Sequence, residues 1–180
     1  MANNPQGRPD RDLAETKPRL EAYLPPKDEK TFTFAICLLD TEEMIGIGGC
    51  YSLKSMFGWP VVGYMLDREY WGRGLATEFL RGWLGMWAAL PRMDDQVEIE
   101  VDARTVAGGD ENEGVVMEEE QVVTWTVAGE NMASERVMQK SGFECFLRWR
   151  EPDLRAPEVE VELVAYRYFP MRKKTTIREE

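Results

Sequence analysis

The stretch whose reading decides the fold is VVGYMLDREYWGRGLATEF, residues 61–79. Its first six residues are apolar almost throughout, which predicts a strand buried on both faces and central in its sheet. From Leu75 onward the period changes. Leu75, Phe79, Trp83, Trp87 and Leu90 recur at helical spacing, predicting an amphipathic helix over 75–90 that Pro91 closes. Between the two periods lies Trp71-Gly-Arg-Gly-Leu-Ala-Thr77. A helix N-terminus leaves N–H groups unpaired and carries partial positive charge, and glycines let an anion approach the backbone. The loop therefore reads as a diphosphate cradle to which Arg73 adds a direct charge, or as a tight turn whose glycines satisfy geometry alone. On these residues both readings stand. A Walker A loop needs a lysine after its second glycine, and none follows here. A Rossmann fingerprint starts directly after its strand, whereas Gly72 comes six residues later and Thr77 stands where the last glycine belongs.

Working outward, residues 1–9 read as a disordered lead and 10–24 as a helix. Leu13, Leu20 and Leu24 fall on helical spacing there, and Pro25-Pro26 end it. Residues 31–39 (TFTFAICLL) and 44–53 form a predicted hairpin about the turn at 40–43. Gly46, Gly48 and Gly49 inside its second strand point to a bulge or a close backbone approach. Beyond the central helix, VEIEV at 97–101 alternates as a half-exposed strand and 108–114 (GGDENEG) is a loop tip. Residues 97–120 are thus expected to form an acidic, solvent-exposed hairpin insertion. A strand at 121–127, a short helix at 131–141 ended by Gly142, and strands at 143–150 and 158–169 complete a single domain over 10–170. Residues 171–180 read as a frayed basic tail.

Composition narrows the chemistry. The chain has 180 residues, 22 basic against 33 acidic side chains, and a net charge of −11. That balance argues against nucleic acid as a partner. It suits a cationic acceptor such as an amine, or serves solubility only. There is no histidine, which removes histidine-based nucleophile systems, histidine general bases and nearly all zinc-hydrolase sites; no metal is expected. Cys37, Cys50 and Cys145 are odd in number and widely spaced, as reduced core thiols would be. The longest apolar runs, such as 34–39, are too short to span a bilayer. The first twelve residues lack the apolar segment of a secretory signal. A cytoplasmic protein without membrane contact is the expectation.

Residues 63–79 closely resemble motif A of the GNAT superfamily of N-acetyltransferases, in particular its ribosomal-protein N-terminal acetyltransferase branch. Gly74-Leu-Ala76 matches the second half of the motif Q/R-x-x-G-x-G/A, while Trp71 replaces its first residue. A second run, ENMASERVMQKSGF at 130–143, resembles the branch's N-x-x-S-x-x-[VL]-x-x-K-x-G-F signature. The resemblance implies an α/β fold with a mixed, mostly antiparallel sheet, splayed at the coenzyme site and flanked by helices. It implies acetyl-CoA as co-substrate. The backbone of Met65 and Leu66 is then expected to bond the pantetheine arm. Trp71, Gly72, Arg73, Gly74, Leu75, Ala76 and Thr77 would surround the pyrophosphate, their amides from Gly72 to Thr77 holding it. Asn131 would contact the coenzyme near its pantetheine end, against the alternative of a plain helix N-cap. Ser134 would lie beside the sulfur and protonate the departing thiolate, against that of an ordinary first-turn residue. Members of the family begin with a further strand and helix, for which the chain has no room before residue 10. Truncation, or an edge supplied by a partner such as the second copy in a homodimer, is the corresponding expectation.

The implied activity is transfer of acetyl to a primary amine: a protein N-terminus, an amino acid or a small amine. A catalytically impaired acyl-CoA-binding module is the alternative. With no histidine, removal of the amine proton falls to a carboxylate, a tyrosine or a water chain. Asp67, Glu69 and Glu130 flank the expected site, though each also reads as a solvated surface carboxylate.

Overall fold

In a computed structural model of the chain, residues 10–92, 99–106, 119–153 and 156–171 are described. They form one six-stranded sheet with three α-helices. The strands are β1 (Phe32–Cys37), β2 (Met44–Ser52), β3 (Val61–Leu66), β4 (Val122–Val127), β5 (Glu144–Asp153) and β6 (Ala156–Tyr168). The helices are α1 (Leu13–Leu20), α2 (Leu75–Ala89) and α3 (Met132–Lys140). Sheet order is β1-β2-β3-β4-β6-β5, with every neighbouring pair antiparallel except β3 and β4. The mixed, mostly antiparallel sheet is the expected one, and VVGYML is its third strand. No helix among the described residues is long and apolar enough to cross a membrane.

Both α2 and α3 lie over one face. Leu80, Trp83, Leu84 and Trp87 of α2 and Met138 of α3 pack there on Val62, Val122, Val164 and Tyr166. Trp83 and Trp87 stack with centroids 5.0 Å apart, and the Trp83 indole N–H donates to the Phe32 carbonyl at 2.9 Å. Leu80 and Leu84 carry more of this core than the expected stripe allowed, since Leu75, Phe79 and Leu90 sit half-buried at its margin. On the opposite face, Phe57 is fully buried and makes edge contacts with Trp125, Phe146 and Trp149.

The glycines of β2 mark close approach. Its register with β1 and β3 runs unbroken through residues 46–50, and the irregularities fall at Ile36/Cys37 and Cys50/Ser52. A Cβ on Gly48 would stand 2.5 Å from the Phe79 ring, so this glycine lets α2 settle on the sheet.

Three expectations are corrected. The N-terminal helix covers only Leu13–Leu20, contains Pro18 and buries none of its residues, with Leu13, Leu20 and Leu24 exposed. Three scattered leucines do not make a stripe that a sheet can cover. Of the cysteines only Cys50 is a core thiol, with its pKa raised by burial to about 11, whereas Cys37 and Cys145 are exposed. Finally, residues 99–101 form no strand, and they lead into a 3-10 turn at Ala103–Thr105. Their polar groups go elsewhere: the Asp102 N–H donates to the Phe57 carbonyl at 3.1 Å. Thr105 is fully buried, its hydroxyl accepting from Trp59 Nε1 at 2.9 Å and its carbonyl accepting from Gln121 Nε2 and Arg167 Nη1, both at 3.1 Å. This part of the insertion is anchored through Asp102 and Thr105, while Ile99, Glu100, Ala103 and Arg104 stay exposed. Residues 93–98 and 107–118, and with them the rest of the expected hairpin, lie outside the described residues, as do the lead at 1–9 and the tail at 172–180.

Candidate functional site

The central strands part company almost at once. β3 and β4 share a single registered pair, Val61 with Val123, supported by the Val123 N–H donating to the Pro60 carbonyl at 2.9 Å. Beyond it they diverge, so the backbone groups that would have joined them face an open gap. Alternation in the two antiparallel ladders shows which groups these are. The Asp67 N–H donates to the Ile45 carbonyl at 2.8 Å. In the same register, Met65 and Gly63 turn their N–H and C=O groups to β2, and Tyr64 and Leu66 turn theirs to the gap. Across it, the Ala128 N–H donates to the Glu162 carbonyl at 2.8 Å. Thr124 and Thr126 therefore bond β6, leaving Trp125 and Val127 to face β3. Of the two residues expected to offer backbone groups to a pantetheine arm, only Leu66 turns its own toward the gap, and its carbonyl already accepts from the Trp71 indole. Met65 spends its own on β2.

From the end of β3 the chain turns through a 3-10 segment at Arg68–Tyr70 into the glycine loop. Trp71 latches that loop, its indole N–H donating to the Leu66 carbonyl at 2.9 Å while half of its surface stays exposed. Gly72 and Gly74 take φ of +74° and +85°, a left-handed conformation that costs other residues free energy. No side chain caps α2 at Gly74. Among the described residues nothing accepts a hydrogen bond from the amides of Gly72, Arg73, Gly74, Leu75 or Ala76. The Thr77 amide differs from its neighbours, donating to the Gly74 carbonyl at 3.0 Å. Cβ atoms on Gly72 and Gly74 would meet nothing within 4 Å, so neither glycine is crowded on its Cβ side. The Arg73 guanidinium lies 5.3 Å from the Tyr70 ring centroid, at the rim of the same loop.

The first turn of α3 closes the gap from its far side. Asn131 is the N-cap, its Oδ1 accepting from the Ser134 N–H at 3.2 Å. Both residues line a cleft of about 150 Å³ together with Val62, Gly63, Tyr64, Thr124, Thr126 and Tyr166. Tyr51 and Trp125 border it too. Tyr64 donates to Ser134 Oγ at 3.3 Å, and Tyr166 donates to Glu135 Oε2 at 2.9 Å. Glu135 also accepts from the Gly129 N–H at 3.0 Å. Burial raises the Tyr64 pKa, and the Ser134 hydrogen bond offsets part of that rise. Tyr166 is pushed up to about 12, first by burial and then by its bond to Glu135. Both phenols are neutral hydrogen-bond donors at physiological pH.

The three flanking carboxylates do not line this cleft. Asp67 caps the 3-10 turn, its Oδ1 accepting from the Glu69 N–H at 3.1 Å, and Asp67, Glu69 and Glu130 are all exposed. Glu135 reaches the cleft through its hydrogen bond with Tyr166. It and the two tyrosines escaped the sequence reading. The only local signal was a place in a strand, apolar almost throughout for Tyr64 and alternating for Tyr166, and Glu135 reads as an ordinary acid in a helix's first turn.

A family model described as an acetyltransferase (GNAT) domain matches residues 1–144. Several solved acetyltransferases share the fold. A ribosomal-protein-S5-alanine acetyltransferase from Vibrio fischeri superposes with a TM-score of 0.56 at 17% identity, over 93% of this chain and 80% of that one. A spermidine N-acetyltransferase from Vibrio cholerae gives 0.59 at 10% identity, over 92% and 79%. The microcin C7 self-immunity acetyltransferase, solved with acetyl-CoA and AMP, gives 0.58 at 11% identity, over 87% and 71%. No curated protein matches the sequence.

Proposed function

The chain belongs to the GNAT acetyltransferase family, and we propose that it moves the acetyl group of acetyl-CoA to a primary amine by direct attack with both substrates bound. The observations that carry this reading are the opening between β3 and β4 and the five unpaired amides at the start of α2, in a loop that Trp71 ties to the end of β3. The amides of Gly72 to Ala76, with Arg73, suit the pyrophosphate: they are unpaired donors at the positive end of a helix, in a loop with open space on the Cβ side of its glycines. The gap-facing backbone of Tyr64, Leu66, Trp125 and Val127 suits an extended arm with amide groups of its own. When bound, the coenzyme supplies an activated acetyl thioester.

The chain's contribution is then positional and electrostatic. Holding two reactants in alignment is worth an effective molarity on the order of 10⁵ M or more. An N–H of Tyr64 or Leu66, facing the gap, stabilises negative charge as it grows on the carbonyl oxygen. Ser134 Oγ stands at the cleft and gives a proton to the departing sulfur. A thiol pKa of about 8.5 already makes thiolate a fair leaving group, so the serine accelerates without being indispensable.

No carboxylate lines the cleft among the described residues, which favours an acceptor that arrives neutral. An α-amine, with pKa about 7.7–8.0, meets that condition more readily than a lysine side chain at about 10.4. A protein N-terminus, an amino acid or a small amine fits. The net charge of −11 helps to gather the ammonium form from solution, and an α-amine then gives up its proton more readily than a lysine side chain. Three free cysteines suit a reducing, cytoplasmic setting.

The test is incubation with acetyl-CoA and a panel of amines, following free thiol and acetylated amine by mass spectrometry. One thiol per acetylated amine, with α-amines outpacing lysine side chains and polyamines at neutral pH, is the expected result. Coenzyme binding without turnover on any amine would favour a non-catalytic binding module instead.

A further inference from the structure

We infer that Tyr64 is a positioning residue that acts through Ser134, aiming the serine proton at the leaving sulfur. The inference deepens the acetyl-transfer reading above and rests on it. Tyr64 stands on β3, one wall of the splay, and Ser134 stands on the first turn of α3, which follows β4, the other wall. Their hydroxyls meet at 3.3 Å across 70 residues of sequence, and both line the cleft. A phenol is the more acidic of the two hydroxyls, so Tyr64 donates and Ser134 Oγ accepts. A serine hydroxyl has one proton and two lone pairs. One lone pair is taken by Tyr64, and the Asn131 Oδ1 that caps the helix accepts from the Ser134 N–H at 3.2 Å. Among the described residues the Ser134 hydroxyl donates to no group. Its proton is thus available to the cleft that Ser134 lines. A 3.3 Å separation is long for two hydroxyls, as catalytic hydrogen bonds often are before substrates bind.

Proton accounting fits a positioning role. As the C–N bond forms and the C–S bond breaks, the sulfur takes the Ser134 proton, and the nitrogen's surplus proton restores it through cleft water. Tyr64 keeps its own proton throughout: its O–H is spent on Ser134 Oγ, and burial holds the phenol in its neutral form. The second phenol, Tyr166, is committed to Glu135 and does not compete for Ser134.

The experiment titrates the thiol of bound coenzyme A by its thiolate absorbance, in wild type, Tyr64→Phe, Ser134→Ala and the double variant. It also measures kcat and KM where turnover occurs. A correctly aimed Ser134 hydroxyl stabilises thiolate, so the bound thiol should titrate lowest in wild type. Tyr64→Phe should cut the thiolate fraction and kcat by up to about tenfold, the scale of one hydrogen bond. KM for acetyl-CoA should stay put. In the Ser134→Ala background Tyr64→Phe should add nothing further. An unchanged thiol titration in Tyr64→Phe, or losses that multiply in the double variant, would overturn the inference while leaving acetyl transfer intact. Failure of wild type to bind coenzyme A would instead overturn the functional reading, and this inference with it.

Discussion

Tyr166 shows how one buried hydroxyl ties the site to the fold. Burial and the Glu135 hydrogen bond raise its pKa from 10.0 to about 12. The neutral phenol is therefore favoured more in the folded chain than in the unfolded one. Its contribution to stability is whole below pH 10 and is lost as pH rises from 10 to about 12. Burial also raises the pKa values of Cys50, Tyr51 and Tyr64, which adds further losses at alkaline pH, so the informative quantity is a difference. Urea denaturation of wild type and Tyr166→Phe across this range should give a shallower decline for the variant. Parallel curves would mean that the phenol is not held in its neutral form by the fold. None of this was legible in the sequence, where Tyr166 was one alternating residue of a strand. Glu135 lies 31 positions away, and its pairing depends on how α3 is laid over β6.

At the level of elements, what could be read was what local periodicity encodes. The switch from a continuous apolar run to helical spacing placed β3 over its full length and began α2 at Leu75, because both signals are complete within a few residues of the boundary. The two glycines at positive φ could be read for the same reason. The site's second half, α3, was placed by its cap: Asn131 accepts from the Ser134 N–H, and Gly142 follows the helix at φ +89°. A cap role is separable from coenzyme contact. Asn131→Ala should cost about 0.5–2 kcal/mol of stability, and Asn131→Asp, which keeps the acceptor oxygen, should restore it in thermal denaturation. Asparagine's place in the cleft predicts that neither variant recovers full coenzyme affinity. An Asp variant equal to wild type in both measurements would reduce Asn131 to a cap. The anchored segment at 99–106 marks the opposite limit of sequence reading. Its alternation suggests a strand, but the groups that bind it lie at Phe57, Trp59, Gln121 and Arg167, and nothing near residue 100 announces them.

For the whole molecule, the sheet's topology makes the site. Antiparallel neighbours on either flank keep β3 and β4 in place, while the one parallel pair between them is released after Val61 and Val123. Helices α2 and α3 then share a face, with the first turn of α3 at the opening and the loop before α2 tied by Trp71 to the end of β3. A chain with 43% hydrophobic residues and no histidine is thereby left with backbone donors, serine, threonine and tyrosine hydroxyls as its working groups. The gap itself was foreseeable only by family resemblance, since the point at which two strands separate is set by neighbours distant in sequence.

The most direct test of this account is calorimetric titration of acetyl-CoA into wild type and Gly74→Glu. Gly74 sits at φ +85° with open space on its Cβ side, so the substitution costs local backbone strain of about 1–3 kcal/mol but no steric clash with the core. Its carboxylate would stand where the diphosphate is expected. The account predicts that wild type binds, and that Gly74→Glu binds at least about a hundredfold more weakly, roughly 2.7 kcal/mol, with its far-ultraviolet circular dichroism preserved. Equal affinity in a folded variant would contradict it, leaving the loop at residues 71–77 a turn and nothing more.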